Sequence, residues 1–345
     1  MAIVFMGVFP VLYRYIWSIT LIRVRHITIV RGKNMREILN NYGILLENVN
    51  LKDYTTYQIG GIARYVVKPV SVENFVSLVD FLNTNNHPYF ILGNGSNVIL
   101  PDEDFDGIII RLDSMSLFEV NLETAEVYVE AGVYIPRLAN QALKHGLSGL
   151  EWAGGLPGSI GASILNNAGA YNVEMQDIIK EVIVYKNKTI ERIKREDIHF
   201  AYRSSEFKEN RDAIILAAVL QLEKQTETEI KDVMQKRAKK RLETQPVEYP
   251  SAGSVFRNPD KELIEEQMQK YNLCCNSSGY LIEQAGLKGH EIGGAKVSEK
   301  HANFIVNFDN ATSKDVTSLI QLIQDTIKEK FEIDLILEQE IVKWN

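Results

Sequence analysis

Residues 154–161 read GGLPGSIG, which places four glycines and one proline within eight positions. Glycine adopts backbone angles that other residues avoid, and it lets a ligand come close to the main chain. Ordering such a segment costs conformational entropy, and a ligand held against the backbone would offset that cost. A simple turn explains the same residues, so the segment has to be considered together with the rest of the chain.

Two further glycine-containing loops precede it. Residues 92–97 read LGNGSN and follow a predicted buried strand, and residues 55–61 read TTYQIGG. Backbone N–H groups in such loops bind phosphate oxygens. LGNGSN is not the Rossmann fingerprint, because the third glycine is missing and so is an acidic residue about 20 positions on. Together the three loops predict one large phosphate-bearing ligand, and three unrelated turns are the alternative.

Hydrophobic periodicity along the chain alternates between helix and strand. Ser71 is a predicted N-cap, and Thr312 with Asp315 forms a predicted capping box before a helix. Residues 154–171 are predicted to lack secondary structure, and residues 35–46 to form an amphipathic segment. The remaining predictions are helices at 72–82, 135–145 and 227–243, and strands at 89–92, 108–112, 126–131, 182–185, 214–222 and 333–342. At 345 residues the chain exceeds the size of one hydrophobic core, so two or three α+β domains are expected.

The composition is typical of a globular protein and argues against several kinds of binding site. Hydrophobic residues make up 45% and charged residues 24%, as in ordinary globular proteins, and the formal net charge is −7. A nucleic-acid partner is not expected, because such binders are basic. The two cysteines, Cys274 and Cys275, are adjacent. Their spacing suits neither a disulfide framework nor a metal site, so we expect two free thiols in a reducing compartment and no metal.

The amino-terminal residues form a separate question. Residues 2–22 are rich in apolar side chains, but Pro10 and Arg14 leave the uninterrupted apolar run too short for a membrane span. Positive charge follows the run, whereas a secretory signal carries it in front. We therefore expect residues 1–34 to be an extension that need not be translated, with Met35 as the start. A targeting segment is the alternative.

Three segments carry candidate chemistry. Residues 250–259 read PSAGSVFRNP, where a serine could be a nucleophile, a proton donor or, as the bare sequence favours, a turn residue. Residues 202–205 read YRSS, and an arginine there could bind a carboxylate or diphosphate or simply lie on the surface. Residues 236–241 read KRAKKR, which suits either a diphosphate or a solvated helix face.

In this order the motifs resemble the UDP-N-acetylenolpyruvoylglucosamine reductase family. The resemblance covers roughly residues 36–342, and its anchors are residues 55–61, 92–97, 155–171, 202–204, 250–259 and 281–307. It implies an α+β fold: a FAD-binding module of the vanillyl-alcohol-oxidase type in two subdomains, plus an α+β substrate-binding domain. The implied bounds are 35–106 and 107–224 for the subdomains, 225–331 for the substrate domain, and 332–345 for a strand that returns to the first subdomain.

The resemblance also implies an activity. Family members reduce UDP-N-acetylglucosamine enolpyruvate to UDP-N-acetylmuramate, through bound FAD and with NADPH as hydride donor, in peptidoglycan precursor synthesis. A cytoplasmic monomer without a membrane partner is expected. The short variant of the family, which lacks an extra substrate-capping loop, is the better match.

Residue roles follow from the same resemblance. Arg203 would stabilise an enolate-like state, Ser254 would protonate the substrate carbon, and Glu340 would be the catalytic carboxylate. The tail is about two residues longer than usual, so Glu338 competes with Glu340. Substrate contacts fall on Tyr202, Arg241 and Asn258. FAD contacts fall on Thr56, Ile59, Gly60, Gly61, Leu92, Gly93, Asn94, Gly95, Ser96, Asn97, Gly155, Pro157, Gly158, Ser159, Gly161, Asn167, Ala168, Gly169 and Ala170.

Three departures from the family pattern leave alternatives open. Ala162 stands where a glycine is usual, the tail ends in EIVKWN, and residues 261–280 look like a local insertion. Ala162 restricts positive backbone angles and so bears on flavin binding. One alternative is another FAD oxidoreductase on the same fold, acting on an alcohol or sugar. The other is a non-catalytic paralogue that binds a UDP-sugar or a protein.

Overall fold

The computed structural model describes residues 34–344, so the extension predicted for residues 1–34 falls outside the described residues except for Asn34. The helices are α1 (Met35–Leu39), α2 (Val72–Thr84), α3 (Ile135–Lys144), α4 (Ile160–Leu165), α5 (Met175–Ile178), α6 (Glu206–Glu209), α7 (Glu227–Thr244), α8 (Glu265–Lys270), α9 (Ser278–Gln284) and α10 (Ser313–Phe331). No helix in this part of the chain combines the length and the apolar character needed to cross a membrane.

Most strands are short. They are β1 (Ile44–Asn50), β2 (Ile62–Lys68), β3 (Tyr89–Leu92), β4 (Val98–Ile99), β5 (Phe105–Arg111), β6 (Phe118–Asn121), β7 (Glu126–Glu130), β8 (Leu147–Ser148), β9 (Gly169–Ala170), β10 (Val173–Glu174), β11 (Ile179–Lys186), β12 (Thr189–Lys194), β13 (Phe200–Ala201), β14 (Ser204–Ser205), β15 (Ile214–Gln221), β16 (Glu223–Lys224), β17 (Glu291–Ile292), β18 (Ala295–Val297), β19 (Ile305–Asn307) and β20 (Glu340–Ile341).

The first sheet has the order β1-β2-β5-β3. Strand β1 runs antiparallel to β2, whereas β5 is parallel to both β2 and β3. Helix α2 supplies the crossover into β3, and its Ser71 side chain accepts a hydrogen bond from the Asn74 N–H, as an N-cap does. Apolar residues of α2, such as Phe75 and Leu82, are fully buried. The loop at residues 92–97 therefore begins at the carboxyl end of β3.

The second sheet is antiparallel, with the order β12-β11-β15-β7-β6. Its inward residues, among them Val127 and Val184, share one hydrophobic core with Phe75 of α2 and Ile110 of β5. Burial of apolar area on this scale is the main stabilising term in folding. Because one core supports both sheets, the loops that leave them keep fixed relative positions.

A third unit is built around the small antiparallel sheet β17-β18-β19 and helices α9 and α10. Helix α10 begins with the predicted capping box, in which Thr312 and Asp315 exchange side chain-to-backbone hydrogen bonds. Its buried residues recur at helical spacing: Val316, Leu319, Ile320, Ile323 and Ile327. This separate core carries the loop at residues 250–259.

The carboxyl terminus crosses from the third unit to the first. Strand β20 pairs in parallel with β4. Beyond it, the Trp344 ring stacks on Phe105 at a centroid distance of 4.2 Å, and its indole N–H donates to the Glu103 carbonyl over 3.1 Å. The tail thus holds the third unit against the loops of the first sheet.

Three secondary-structure predictions were wrong in extent. The amphipathic segment predicted for residues 35–46 ends as helix α1 at Leu39, because residues 44–50 pair with β2 instead. Residues 154–171 contain helix α4 and strand β9 rather than a structureless stretch. Of residues 333–342, only β20 pairs as a strand. Pairing with other segments decided the first and third cases, through β2 and β4, and local periodicity does not encode such partners, whereas α4 and β9 form through local hydrogen bonds.

Candidate active site

A cleft of about 740 Å³ lies where the three glycine loops face the segment that follows helix α7. That volume is within the usual range for ligand pockets. The residues that line it are Thr56, Gln58, Ser96, Asn97, Gly155, Leu156, Pro157, Gly158, Ala162, Ser163, Asn166, Ala168, Gly169, Ala170, Arg203, Arg241, Gln245, Pro246, Val247, Glu248, Tyr249, Pro250, Ser251, Ala252, Gly253, Ser254, Phe304 and Glu338.

The three loops contact one another. The Thr56 backbone N–H and hydroxyl both donate to the Gly95 carbonyl, over 3.0 and 3.3 Å. A Cβ added to Gly93 would lie 3.2 Å from the Ser159 Oγ, so the loops at residues 92–97 and 154–161 are also in contact. Arg111, which is buried, donates to the Gly93 carbonyl over 2.6 Å. The loops are therefore one assembled wall and not three separate turns.

The donor set of this wall fits FAD. The wall is lined by small residues at Gly158, Ala168 and Ala170, and a Cβ added to Gly158 would come no nearer than 3.4 Å to another side chain, so a ligand can approach the backbone there. Ser96 adds a hydroxyl donor beside it, and Asn97 adds the amide N–H that remains when its side chain donates to the Glu338 carbonyl, whereas the Thr56 hydroxyl already donates to the Gly95 carbonyl. Backbone N–H groups and hydroxyl donors around an open backbone suit the diphosphate and polar edges of a dinucleotide. Among residues 34–344, no group of three or more His, Cys, Asp or Glu side chains is arranged to hold a metal.

Several predicted FAD residues lie behind the cleft surface. Ile59, Leu92 and Asn167 are buried, and the lining also omits Gly60, Gly61, Gly93, Asn94, Gly95, Ser159 and Gly161. Gly61 and Gly161 are needed for packing, because an added Cβ would meet Glu103 O at 2.2 Å and Ala131 Cβ at 2.9 Å respectively. Ile59, Leu92 and Asn167 therefore shape the loops from behind, and FAD contacts at the other positions stay predictions.

Arg203 lies in the turn between β13 and β14. Its φ of 56° is in the left-handed region, which is uncommon for a non-glycine residue. Nη2 donates to the Gly169 carbonyl over 2.7 Å, and Nη1 lies 3.7 Å from the Glu174 carboxylate. Buried Asn167 supports this turn by donating to the Ala201 carbonyl. The guanidinium is thus held in the cleft by several fixed partners.

Glu338 is the carboxylate beside Arg203. Its Oε1 lies 3.2 Å from Arg203 Nε, and its side chain is 23% exposed. Burial raises the pKa of Glu338, while Arg203, Lys208 and Arg257 oppose that rise. A carboxyl group with a raised pKa in a cleft is typical of sites that move protons.

Glu340, which the resemblance indicated as the catalytic carboxylate, pairs with a different arginine. Its Oε1 pairs with Arg211 Nη1 over 2.8 Å, and Glu340 is not among the residues that line the cleft. Its backbone N–H donates to the Asn97 carbonyl, which fixes the tail against the second loop. Of the two glutamates the sequence left open, the structure brings Glu338 to Arg203.

Ser254 also lines the cleft. It follows Gly253, whose φ of +78° requires the left-handed region and favours glycine. Buried Asn303 fixes the residues after the serine: its carbonyl and side-chain oxygens accept from the Val255 and Phe256 N–H groups. The arginine, the serine and one glutamate therefore converge on a single cleft.

The predicted substrate residues are divided. Arg241 lines the cleft, and burial lowers the pKa of its guanidinium. Tyr202 is 47% exposed, with its ring 5.2 Å from the Arg203 guanidinium carbon. Asn258 is not part of the lining, and its side-chain oxygen accepts from the Ser278 N–H over 3.0 Å. Of the three, Arg241 lines the cleft, and substrate contacts at Tyr202 and Asn258 stay predictions.

Sequence reasoning missed other lining residues. Gln58 lies in the motif at residues 55–61 and Asn166 in the motif at residues 155–171. Their polar side chains within these motifs could have marked them as ligand contacts. No sequence pattern marked residues 245–249 or Phe304 as ligand contacts. They reach the cleft because the third unit docks there. Ala162, expected to restrict the loop, lies within helix α4 and has no positive φ, so alanine suits the site.

Comparison with known proteins gives two family matches. A family model described as UDP-N-acetylenolpyruvoylglucosamine reductase, C-terminal domain, matches residues 245–342. A second, described as FAD binding domain, matches residues 63–188. The first match spans the loop with Ser254 and the tail with Glu338, and the second spans two of the three glycine loops.

Whole-chain relatives agree with these matches. The UDP-N-acetylenolpyruvoylglucosamine reductase of Bacillus licheniformis is 42% identical over 87% of this chain and 94% of the relative. The Bacillus subtilis protein of the same name is 41% identical over 88% and 95%. The crystal structure of the reductase from Thermus caldophilus superposes with a TM-score of 0.70, at 32% identity, and covers 87% of this chain and 98% of that one.

Proposed function

This chain belongs to the UDP-N-acetylenolpyruvoylglucosamine reductase family, and from that premise we propose that it reduces UDP-N-acetylglucosamine enolpyruvate to UDP-N-acetylmuramate. FAD is the bound cofactor, NADPH is the hydride donor, and the product serves peptidoglycan precursor synthesis. The predicted family and α+β fold class are confirmed by the relatives and the structural match. The observation that carries the proposal is the convergence of Arg203, Ser254 and Glu338 on the glycine-lined cleft.

Residues in different parts of the cleft would bind different parts of the cofactor and the substrate. The loop residues Thr56, Ser96 and Asn97 and the backbone around Gly158 would hold FAD. FAD supplies the hydride chemistry when it is bound. Arg241, whose side chain lies against Gly155, is placed for the diphosphate of the substrate, because an arginine fork matches phosphate oxygens.

Arg203 would act on charge. Hydride addition to the enol-ether double bond leaves negative charge that spreads into the substrate carboxylate. A fixed guanidinium stabilises such charge best when it needs no reorganisation. Arg203 meets that condition, because the Gly169 carbonyl, Glu174 and Glu338 hold it.

Ser254 would deliver the proton to the carbon. A serine hydroxyl is a weak acid, so it needs charged or donor neighbours to act in this way. We assign Glu338 to support the reaction in place of Glu340, because it lies on the cleft and its pKa is raised by burial. Its carboxylate also orients the Arg203 guanidinium.

Further features of the prediction stay proposals. We propose four parts: subdomains at 35–106 and 107–224, a substrate domain at 225–331, and the returning tail at 332–345. The separate core around α10 and the pairing of β20 with β4 support this division. A cytoplasmic monomer of the short variant, with no nucleic-acid or membrane partner, is proposed too. Free Cys274 and Cys275 and the net charge of −7 support it.

An anaerobic titration tests the proposed function. Protein that carries FAD is yellow, and NADPH should bleach it. Addition of UDP-N-acetylglucosamine enolpyruvate without oxygen should restore the flavin absorption in proportion to the substrate added. Recovery only with an unrelated oxidant, or protein that cannot be loaded with FAD, would contradict the proposal.

A further inference from the structure

Gln339, between the two candidate glutamates, is among the most buried polar residues of the described chain, with 3% exposure. Its side-chain oxygen accepts from the Tyr57 hydroxyl over 3.3 Å, and its amide nitrogen donates to the carbonyls of Ala252 and Gly253 over 3.1 and 3.0 Å. One side chain therefore joins the first glycine loop, the serine loop and the tail.

The orientation of this amide follows from its partners. The Ala252 and Gly253 carbonyls can only accept hydrogen bonds, so the NH₂ group must face them. The oxygen then faces Tyr57, which is fully buried. Burial raises the pKa of Tyr57, so its hydroxyl keeps its proton and donates to Gln339. Every polar atom of the Gln339 side chain is thus hydrogen-bonded, as a buried network requires.

The Gly253 carbonyl bears directly on Ser254. It belongs to the planar peptide that joins the two residues, so fixing this oxygen also fixes the direction of the Ser254 N–H. Gly253 has a φ of +78°, and a Cβ added there would meet nothing within 4 Å. Neither sterics nor a side chain of its own holds this peptide in place. The hydrogen bond from Gln339 restrains it.

Backbone hydrogen bonds also hold the tail in register with the loop at residues 250–259. The Glu338 N–H donates to the Val255 carbonyl over 2.9 Å, and the Arg257 N–H donates to the Ile336 carbonyl over 2.9 Å. The tail therefore runs alongside the serine loop, with Glu338 on the cleft and Gln339 pointing into the protein. The position of Ser254 relative to Glu338 depends on this short stretch of chain.

We propose that Gln339 is a positioning residue that fixes the Gly253–Ser254 peptide, and so places the Ser254 hydroxyl for proton delivery. This inference rests on the proposed function. Gln339 does not line the cleft and touches no reacting atom. Its effect should therefore fall on the protonation step and spare the reduction of the flavin by NADPH.

The test uses the FAD-loaded protein with Gln339→Met, which keeps side-chain length and removes the amide. Gln321→Met on the exposed face of α10 is the matched control. Anaerobic stopped-flow should show flavin reduction by NADPH within about twofold of the parent. Reoxidation by UDP-N-acetylglucosamine enolpyruvate should slow about 10- to 100-fold, with a larger solvent deuterium isotope effect, since small misplacements of a catalytic group cost about 100-fold. Control rates should match the parent.

A second readout is independent of catalysis. Hydrogen–deuterium exchange of peptides that cover residues 250–258 should be faster in Gln339→Met than in the parent, and exchange elsewhere in the third unit should be unchanged. Gln339→Glu, which as the buried acid can donate only one hydrogen bond, should lie between the two. It also provides a second variant if the methionine chain folds poorly.

Two results would overturn the inference: unchanged reoxidation in Gln339→Met, or an equal fall in both half-reactions at temperatures well below unfolding. Unchanged exchange in residues 250–258 would count against it in the same way. These outcomes differ from failure of the proposed function, in which the parent protein itself would not reoxidise with the enolpyruvyl substrate.

Discussion

The Arg203 guanidinium lies 3.2 Å from the Glu338 carboxylate, although 135 positions separate the two residues in the chain. Arg203 comes from the turn of the two-stranded β13–β14 hairpin, and Glu338 from the tail of the third unit. The contact forms only where the two units meet. It defines the cleft end at which we place the enolpyruvyl group.

The two tail glutamates can be separated by mutation. Glu338→Gln should slow reoxidation by the enolpyruvyl substrate about 10- to 100-fold, in line with the loss of an acid–base group. Glu340→Gln should change the same rate by less than about threefold, because Glu340 pairs with Arg211 and is not among the residues that line the cleft. Anaerobic stopped-flow on both variants measures this. The reverse ranking would return the catalytic role to Glu340.

Ser254→Ala should leave flavin reduction by NADPH within about twofold and suppress reoxidation by at least about 100-fold, since only proton delivery is removed. The serine lines the cleft, so the change lies at the reacting end. Single-turnover traces of each half-reaction check this. Ser116→Ala, outside the cleft, is the matched control. Equal loss of both half-reactions would refute the assigned role.

Gly95→Ala should abolish stable FAD loading. Gly95 has a φ of +62°, and an added Cβ would lie 2.2 Å from the Tyr54 carbonyl oxygen. The loops at residues 55–61 and 92–97 would have to move apart. Gly286→Ala is the control, because its φ is +79° but nothing lies within 4 Å of the added Cβ. It should cost only the left-handed penalty of roughly 1–2 kcal/mol. The flavin-to-protein absorbance ratio reports the difference, and a yellow Gly95→Ala protein would contradict it.

Asp113→Asn should lower stability in a pH-dependent way. Burial alone would raise the pKa of Asp113, but Lys68 and Arg111 lower it overall. A carboxylate with a lowered folded-state pKa stabilises the fold above its unfolded pKa, near 4, and loses that contribution as pH falls through the folded value. We expect a loss on the order of 1 kcal/mol at pH 7, after allowance for solvent screening. Denaturant unfolding should show the gap closing in acid; a gap independent of pH would contradict the assignment.

The sequence alone identified the three loops, the α2 and α10 caps and the motif order, because each depends on neighbouring residues. Glycines at 93, 95 and 155 and the Thr312–Asp315 box are local signals, and the structure places them in the predicted loops and helix start. The choice between Glu338 and Glu340 is different. The two are two residues apart and chemically identical, so no local pattern separates them.

Tertiary structure alone brings Glu338 to Arg203, buries Gln339 against the serine loop and brings residues 245–249 to the cleft. Each depends on the docking of the third unit against the two sheets, which β20, Trp344 and the second loop fix through contacts across more than 200 residues. Such contacts form because buried polar groups must find partners and apolar faces must be covered across the whole fold. Hydrophobic periodicity and short motifs do not indicate which residues far apart in the chain will contact each other.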